Sequence, residues 1–542
     1  MAYFLVVIQP IIELSFFCIE APLASYQDAL HQLRQPEHLN LLTRLQRGIE
    51  KEGLRCRADG RISQHTHPKA LGSTLTHPSI TTDYSEALLE FITPVFRSTH
   101  EALAYLDVAH RFTYSHLNSE LIWPNSMPCL IDDELDIPIA EYGTSNLGKL
   151  KHVYRHGLWH RYGRRMQCIA GIHYNFSLPD ELWPLLQRIE NNQQPLQDFI
   201  SARYFALIRN FKRHSWLLYY LFGASPALSR DLLTHRQHGL DSLSPNTVYA
   251  PYATSLRMSD LGYQNNAQAE LMVCYNTLER YVETLGKAVS EPVAAYQAMG
   301  VQDEHGQYRQ LNCNLLQIEN EYYSDIRPKR IARHGEKPLE ALQRYGVEYI
   351  EVRGTDLNPF LPLGIDIAQM DFLDLFLTWC ALQPSADINE TEYHQIKANQ
   401  AITVMQGRRP NLTLARGNEQ VALTVWGQEM IEALRELAAI MDNASGTHRY
   451  RDTLNQQWLK LADSQHTPSA QVLRSLQEQG MEFSDFTRQQ AEQHRKTLST
   501  PLADSVRQEW QSMAAQSWQD QQQLEDNDTR PFAEYLAQFL QR

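Results

Sequence analysis

The sequence predicts an α+β fold, in which strands and helices alternate irregularly, without the regular strand–helix–strand spacing of a parallel sheet. Two observations support this prediction. Between residues 46 and 353, four short apolar runs carry polar residues two apart, as strands with one apolar face require. Longer segments with helical periodicity lie between these runs, and the chain beyond Pro359 is mostly helical.

The first elements follow one another from residue 25. Residues 25–40 carry apolar Leu30 and Leu33 among polar positions and are predicted to form a helix. The strand RGIEKEGLR follows, and the Asp59–Gly60 turn after it is typical of a hairpin. Three later segments are also predicted to be helical: 100–118, 150–163 and 198–222.

The segment 83–95 begins with polar residues and becomes apolar before Pro94, so it fits either a helix or a strand. On a helix, Asp83, Glu86 and Glu90 would share one face, because residues three and four apart are neighbours. Two carboxylates of this group are therefore expected to reach the same cavity.

The polar residues of the four strand segments carry the functional signal. In GIHYNFSL, one face receives His173 and Asn175 while the other receives apolar side chains. Carboxylates, an imidazole and a guanidinium recurring in this way indicate the wall of a charged cavity; separate surface strands with ordinary charged faces are the alternative. The four sets are Glu50 and Glu52, His173 and Asn175, Gln317, Glu319 and Glu321, and Glu351 and Arg353.

Such a wall needs positive charge. Two carboxylates about 4 Å apart repel one another by roughly 4 kcal/mol at an effective dielectric near 20, so they must bind protons or cations. Carboxylate oxygens with one histidine suit Mg²⁺ or Mn²⁺, and Mg²⁺ commonly serves phosphates.

Composition excludes several classes of protein. The chain has 542 residues, 43% of them hydrophobic, and a net charge of -14, which argues against binding to nucleic acid or to an anionic membrane. Its seven cysteines form no C-x-x-C pair, which indicates reduced thiols and a cytoplasmic location. The apolar start lacks a positively charged n-region and is interrupted by Pro10 and Glu13, so neither export nor a membrane span is expected.

Three regions are predicted. Residues 1–24 form an N-terminal extension of uncertain role, residues 25–415 a catalytic core, and residues 416–542 a helical region packed on that core.

Basic residues, rather than a known nucleotide motif, would meet phosphates. The chain has no G-x-x-x-x-G-K loop and no G-x-S-x-G element. Arginine can hold phosphate oxygens with two hydrogen bonds, and Arg353 shares a strand face with Glu351. The other candidates are Arg155 and the IRPKR group of Arg327, Lys329 and Arg330, for which a solvated basic turn is the alternative.

Seven blocks of the sequence resemble, in order, the signature blocks of the proteobacterial glutamate-cysteine ligases, over about residues 41–415. They are RGIEKEGLR, LTHPSITTDYSEALLEFITP, EYGTSNLGKLKHVYRHGL, GIHYNFSLP, PYATSLRMSDLGY, LLQIENEYYSDIRPKR and EYIEVRGTDLNPF. The resemblance implies a glutamine synthetase-like carboxylate-amine ligase with a curved, mainly antiparallel sheet as the active-site wall.

The reaction that this resemblance implies joins the γ-carboxylate of L-glutamate to the amine of L-cysteine, with ATP as co-substrate, in the first step of glutathione synthesis. A γ-glutamyl phosphate would form first and the cysteine nitrogen would then attack it. Catalysis would depend mainly on positioning and charge neutralisation. The implied partners are these small molecules alone, and a monomer is expected.

The resemblance also assigns roles to residues. Arg155 and Arg353 would stabilise the transferring phosphoryl group, and Arg257 would bind a substrate α-carboxylate; a helix-surface ion pair with Asp260 is the alternative for Arg257. Asp83 would either bind metal or accept the proton of the attacking amine. The implied metal ligands are Glu50, Glu52, Asp83, Glu90, His173 and Glu351.

An aromatic pocket for the cysteine substrate is implied as well. It would consist of Tyr84, Tyr154, Tyr263 and Tyr323, and Tyr84 stands where the family can carry Phe. Asn175 remains either a substrate contact or part of the strand scaffold. Two rival functions stay open: a ligase acting on a different amine, and a catalytically silent protein that binds nucleotide and metal.

Overall fold

The computed structural model describes residues 26–234, 238–261, 268, 271–333 and 336–541. The expected N-terminal extension, residues 1–24, and the expected substrate contact Tyr263 lie outside the described residues.

A central antiparallel sheet organises the described part of the chain. The strands are β1 (Gln46–Cys56), β2 (Ile80–Thr82), β3 (Leu88–Ile92), β4 (Leu121–Ile122), β5 (Ile172–Ser177), β6 (Ala227–Ser229), β7 (Asp241–Ser244), β8 (Thr247–Tyr249), β9 (Ile326–Lys329), β10 (Tyr349–Thr355), β11 (Thr413–Arg416) and β12 (Glu419–Ala422). The central sheet has the order β2-β3-β1-β5-β10-β9, and β4 pairs with the end of β1. Strands β6 to β8 form a separate small sheet, and β11 and β12 form a hairpin.

Helices surround this sheet and make up most of the C-terminal region. They are α1 (Tyr26–Leu33), α2 (Thr99–Tyr114), α3 (Asn146–Tyr162), α4 (Leu182–Ile189), α5 (Leu196–His214), α6 (Trp216–Phe222), α7 (Leu278–Ser290), α8 (Ala294–Met299), α9 (Pro338–Tyr345), α10 (Ile367–Leu382), α11 (Glu390–Gln406), α12 (Leu423–Ser445), α13 (Arg449–Ala462), α14 (Pro468–Gln479), α15 (Phe483–Leu498), α16 (Asp504–Asp526) and α17 (Phe532–Gln541). The α+β class and the helical C-terminal region are therefore confirmed.

The register of the sheet brings the polar residues together on one side, which we call the front face. Across β1 and β5, Glu50 lies opposite His173, and across β1 and β3, Glu52 lies opposite Glu90. Glu351 of β10 lies opposite Asn175 of β5. The period of two predicted this clustering, because alternate side chains of a strand share one face.

The opposite, back face of the sheet packs against α2 and α10. It carries buried apolar residues such as Ile49 and Val352, but two charged residues of β1 lie there too. Arg47 forms an ion pair of 2.9 Å with Asp374 of α10, and Lys51 Nζ lies 2.9 Å from His110 Nε2 of α2. The expectation of a purely hydrophobic back face is therefore wrong at these two positions.

Two local predictions are also wrong. The helical alternative for residues 83–95 does not hold, since β3 occupies Leu88–Ile92 and pairs with β2. The predicted strand around Gln317 is instead a short 3-10 turn at Glu319–Glu321. The local sequence of each segment fits more than one conformation, and contacts with the rest of the fold select the one that is observed.

The C-terminal helices share an apolar core with the sheet. Leu434 and Trp510 belong to the same buried cluster as Ile49 and Phe91. Helix α17 instead packs on α3 in a second, small cluster that includes Leu150 and Leu536. The division at residue 415 remains a prediction.

Among the described helices, none is long and apolar enough to cross a membrane. All six cysteines in the described ranges are free thiols.

Candidate active site

The front face of the central sheet forms the floor of a cavity of about 1190 Å³. Strands β1, β3, β5 and β10 supply the floor, and helix α3 supplies one wall. The cavity is lined by these sequence-predicted residues: Glu50, Glu52, Asp83, Tyr84, Glu90, Tyr154, Arg155, His173, Arg257, Tyr323, Arg327, Lys329, Glu351 and Arg353.

A cluster of metal-type ligands lies at the centre of this floor. One ligand atom each from Glu50, Glu90 and His173 lies within 4.8 Å of the other two. Glu52 adds a carboxylate 3.9 Å from His173 Nε2. This donor set of several carboxylate oxygens and one imidazole fits a hard divalent cation such as Mg²⁺ or Mn²⁺.

The protonation of the cluster shows how crowded the negative charge is. Burial, and then the charges of Glu50, Asp83 and Glu52, raise the pKa of Glu90 well above its usual value. Burial also raises the pKa of Glu52, although His173 opposes that rise. Carboxylates forced together in this way favour a bound cation, which would remove their mutual repulsion.

Positive charge lies beside this cluster on strands β9 and β10. Burial alone would raise the pKa of Glu351, but Lys329 and Arg353 hold it well below its usual range. The Lys329 ammonium lies 3.4 Å from Glu351 and the Arg353 guanidinium 3.2 Å from it. Arg353 Nη1 also lies 3.3 Å from His173 Nδ1. The basic groups of Lys329 and Arg353, which suit an anion, therefore lie next to the Glu351 carboxylate, which suits a cation, on the paired strands β9 and β10.

Helix α3 places a second arginine over the cavity. Arg155 Nε donates to the backbone oxygen of Asp83, and its Nη1 donates to the oxygen of Lys151 at 2.9 Å. The Asp83 carboxylate lies 3.8 Å from Arg155 Nη2 and is nearly half exposed. Asp83 therefore sits at the rim of the cavity, whereas Glu50 and Glu90 lie on its floor.

Arg257 is held deep in the cavity wall. It is 1% exposed, its Nη2 donates to the backbone oxygen of Arg353 at 2.9 Å, and its Nη1 lies 3.9 Å from Asp356. A Cβ atom on Gly171 would lie 2.0 Å from Arg257 Nη2, so only glycine leaves room for the guanidinium. The alternative of a helix-surface pair with Asp260 is wrong.

Two predicted residues, Asn175 and Arg330, lie outside the lining, and a third, Arg327, lines it but is engaged with the backbone. Asn175 Nδ2 donates to Glu50 at 2.8 Å, and Asn175 is not among the described lining residues, so its contact is with a cluster carboxylate. Arg330 pairs with Glu348 at 3.6 Å, outside the described lining, as the basic-turn alternative predicts. Arg327 lines the cavity, but its Nη2 donates to the backbone oxygens of Asn320 and, at a shorter distance, Tyr322.

Sequence reasoning missed several lining residues. Lys151 lies one helical turn before Arg155, and burial lowers its pKa to about 8; the spacing of four residues on a helix was the available signal. Arg161 is a second missed residue; it lines the cavity in a fully buried ion pair of 3.0 Å with Glu321, which the sequence did place in the charged wall. Glu86, expected on the face of Asp83, instead accepts hydrogen bonds from the backbone of His67 and Glu141.

An apolar surface also belongs to the cavity lining. It is formed by Leu147 and Leu150 of α3, Ile318, Pro338 and Phe539 of α17. Leu150, Ile318 and Phe539 belong to the same small apolar cluster, so these three lie together. The cavity therefore combines a charged floor with one apolar region.

An antiparallel sheet with carboxylates, a histidine and an arginine on one face, under a cavity that has an apolar region, agrees with the active-site wall that the resemblance to carboxylate-amine ligases implies. Comparison with known proteins narrows this class. The family model for glutamate-cysteine ligase matches residues 30–403. The chain therefore belongs to the glutamate-cysteine ligase family.

Individual relatives agree over nearly the whole chain. The glutamate-cysteine ligase of Alcanivorax borkumensis is 48% identical over 95% of this chain and 99% of its own length. That of Azotobacter vinelandii is 51% identical over 94% of this chain and 96% of its own. Among solved structures, the Francisella tularensis glutamate-cysteine ligase in complex with AMP is similar with a TM-score of 0.86 and 35% identity, covering 92% of this chain and 98% of that one.

Proposed function

We propose that this chain joins the γ-carboxylate of L-glutamate to the amine of L-cysteine, with ATP converted to ADP and phosphate. The observation that carries the proposal is the cluster of Glu50, Glu90 and His173 beside Arg353, since it combines cation ligands with a phosphate-binding group. Membership of the glutamate-cysteine ligase family supplies the two substrates.

The front-face carboxylates would hold the metal. Glu50, Glu90 and His173 would bind one Mg²⁺ or Mn²⁺ ion, and Glu52 and Glu351 complete the donor set around them. Bound Mg²⁺ supplies charge neutralisation for the ATP phosphates and for the glutamate carboxylate. Asn175 keeps Glu50 oriented through its hydrogen bond of 2.8 Å.

The arginines would act on the two chemical steps. In the first, a γ-carboxylate oxygen attacks the γ-phosphorus and ADP leaves; Arg353 and Arg155 stabilise the charge on the transferring group. In the second, the cysteine nitrogen attacks the acyl carbon and phosphate leaves. Asp83, at the rim and nearly half exposed, would accept the amine proton rather than bind metal.

Substrate positions follow from the lining. The buried guanidinium of Arg257 would bind the glutamate α-carboxylate, and Tyr84, Tyr154 and Tyr323 would border the cysteine side chain. The apolar region at Leu150, Ile318 and Phe539 would hold the purine ring, because a flat heterocycle gains most from contact with such a surface. We further propose that the enzyme works as a cytoplasmic monomer.

The purine position has its own experiment. Phe539→Ala is expected to raise the KM for ATP about tenfold, the effect of roughly 1.4 kcal/mol of lost apolar contact, without a matching change for L-cysteine. Leu540→Ala, at the neighbouring position outside the described lining, is the control. Equal changes in the KM values of all three substrates would contradict this position.

The reaction is tested with purified chain, MgATP, L-glutamate and a series of amines. ADP release is expected to depend on L-cysteine, and γ-glutamylcysteine is expected by mass spectrometry. ADP release that is indifferent to L-cysteine but supported by another amine would replace the substrate assignment. Nucleotide binding without any turnover would favour the silent binding protein.

A further inference from the structure

Helix α3 carries a second group of ligand-type side chains, outside the active-site lining. His152 and His156 lie four residues apart on the helix, and their Nε2 atoms face each other at 3.1 Å. Neither belongs to the described cavity lining, although Lys151, Tyr154 and Arg155 of the same helix do. The pair therefore lies on a different side of α3.

The hydrogen bonds of this pair leave one nitrogen of His152 for a ligand. His152 Nδ1 lies 2.8 Å from the backbone oxygen of Ala140, which can only accept, so Nδ1 carries a proton and Nε2 is the nitrogen that faces His156. A backbone carbonyl that fixes one ring nitrogen is the usual support of a metal-binding histidine. Burial and the neighbouring His152 lower the pKa of His156 to about 4, so this ring is neutral at pH 7.

The separation of the two nitrogens also suits a shared ion. Imidazole nitrogens bind Zn²⁺ at roughly 2.0–2.1 Å, and two such bonds spanning 3.1 Å enclose an angle of about 98° at the ion. In the metal-free chain, the two Nε2 atoms share one hydrogen bond. On metal binding, both Nε2 atoms turn their lone pairs to the ion, and the proton between them moves to solvent or to Nδ1 of His156.

A carboxylate lies beside the pair. Glu141 Oε1 is 3.8 Å from His152 Nε2. The side chain of Glu141 is exposed, but its backbone is fixed, because its N–H donates to Glu86 and its oxygen accepts from Thr74. Rotation of the exposed Glu141 side chain would bring its oxygen to the same ion.

We propose that His152, His156 and Glu141 form a binding site for a divalent first-row transition ion of the kind that imidazole prefers, with Zn²⁺ and Ni²⁺ as examples. The ion ties α3 to the segment Ala140–Glu141. That segment pairs with the loop of the active site, since Ala140 N donates to the backbone oxygen of Tyr84. The site thus braces the helix that carries Arg155 without belonging to the Mg²⁺ cluster.

Trp159 provides a local probe for the test. Its indole ring lies 5.8 Å from the ring of His156, centre to centre. The full chain is titrated with Ni²⁺ in excess Mg²⁺ while tryptophan emission is followed, because Ni²⁺ quenches indole fluorescence nearby. The thermal midpoint with and without Ni²⁺ is measured in parallel.

Three variants test whether Ni²⁺ binds at His152, His156 and Glu141 rather than elsewhere on the protein. His156→Ala is expected to raise the Ni²⁺ concentration for half-quenching at least tenfold and to remove the Ni²⁺-dependent rise in Tm. Glu141→Gln is expected to raise the Ni²⁺ concentration for half-quenching about threefold. His160→Ala removes an imidazole one turn along the helix, outside the pair, and is expected to leave the titration unchanged.

The outcome is decided by the comparison between His156→Ala and His160→Ala. Equal Ni²⁺ titrations for wild type and both variants would overturn the proposal. Because the readout is binding in the presence of Mg²⁺, failure here is independent of the ligase reaction, which is measured separately as γ-glutamylcysteine formed.

Discussion

The two faces of strand β1 both bury charge, but they balance it differently. On the front face, Glu50 and Glu52 meet Glu90 and His173, and negative charge is in excess. On the back face, the buried Arg47 pairs with Asp374, which also accepts a hydrogen bond from Tyr174 at 2.8 Å. The excess negative charge lies at the proposed ligand site, whereas the matched charge at Arg47 is a structural contact.

Lys51 is the exception on the back face. It is 2% exposed and contacts neutral His110, and no carboxylate among the described residues lies within ion-pair distance of it. Burial lowers its pKa to about 7. The back face is therefore balanced at Arg47 but not at Lys51, and the following substitutions separate these cases.

The largest expected effect is on the front face. Glu351→Gln removes a carboxylate that faces His173, Lys329 and Arg353, and should lower kcat at least about 1,000-fold, which corresponds to roughly 4 kcal/mol. The measurement is γ-glutamylcysteine formation at saturating Mg²⁺. Unchanged turnover would mean that Glu351 only balances its basic neighbours.

The matched pair on the back face should affect stability instead. Asp374→Asn leaves Arg47 buried without its counter-charge and should lower the free energy of unfolding by about 3 kcal/mol. Asp371→Asn is the control, because Asp371 on the same helix pairs with the partly exposed Arg449 at 3.5 Å. Urea unfolding that gives equal losses for both variants would contradict the comparison.

Replacing the unmatched cation should stabilise the fold. Lys51→Met is expected to add about 2 kcal/mol at pH 6, because burying a charge without a counter-charge is costly. The pKa falls from 10.5 to about 7 on folding, so between these values the native state binds fewer protons than the unfolded state. Wild-type stability should therefore rise with pH across this window, and the advantage of Lys51→Met should shrink. A difference independent of pH would indicate a packing effect alone.

The smallest expected effect, on the stability of a front-face variant, changes sign when Mg²⁺ is present. Glu90→Gln should stabilise the Mg²⁺-free chain by about 1 kcal/mol at pH 7, because it removes one crowded carboxylate. The pKa of Glu90 is raised on folding, from an ordinary value of 4.5. Between the ordinary and the raised pKa, the native state therefore binds one proton more than the unfolded state, and wild-type stability falls as pH rises. Below both pKa values, the stability difference between wild type and Glu90→Gln should vanish. With Mg²⁺ present, Glu90→Gln should instead be the less stable protein in thermal unfolding.

The sequence was sufficient to predict the candidate site where its residues alternate within one strand. The alternation in β1, β5 and β10 placed Glu50, His173 and Glu351 on one face, and the register then brought them together. It failed at Glu321, whose E-x-E pattern fits a strand but which pairs with Arg161 of α3. A local pattern does not reveal a partner 160 residues away.

Two other features depend on contacts that no short segment encodes. Phe539 reaches the cavity because α17 packs on α3 through Leu536 and Leu150. The back face of β1 was expected to be apolar, yet Lys51 is accommodated there beside His110, whose Nδ1 lies 2.8 Å from the backbone oxygen of Leu106. In both places, docking of distant helices decides the outcome.

The Glu50–Lys51–Glu52 sequence has a consequence for how the sheet assembles. If β1 paired one residue out of alignment, Lys51 would enter the cluster and two carboxylates would be driven into the apolar interior, at a cost of several kcal/mol for each buried ion. The misaligned register is therefore strongly disfavoured. The same three side chains that contribute to the proposed cation site thus also fix the alignment of β1 within the sheet.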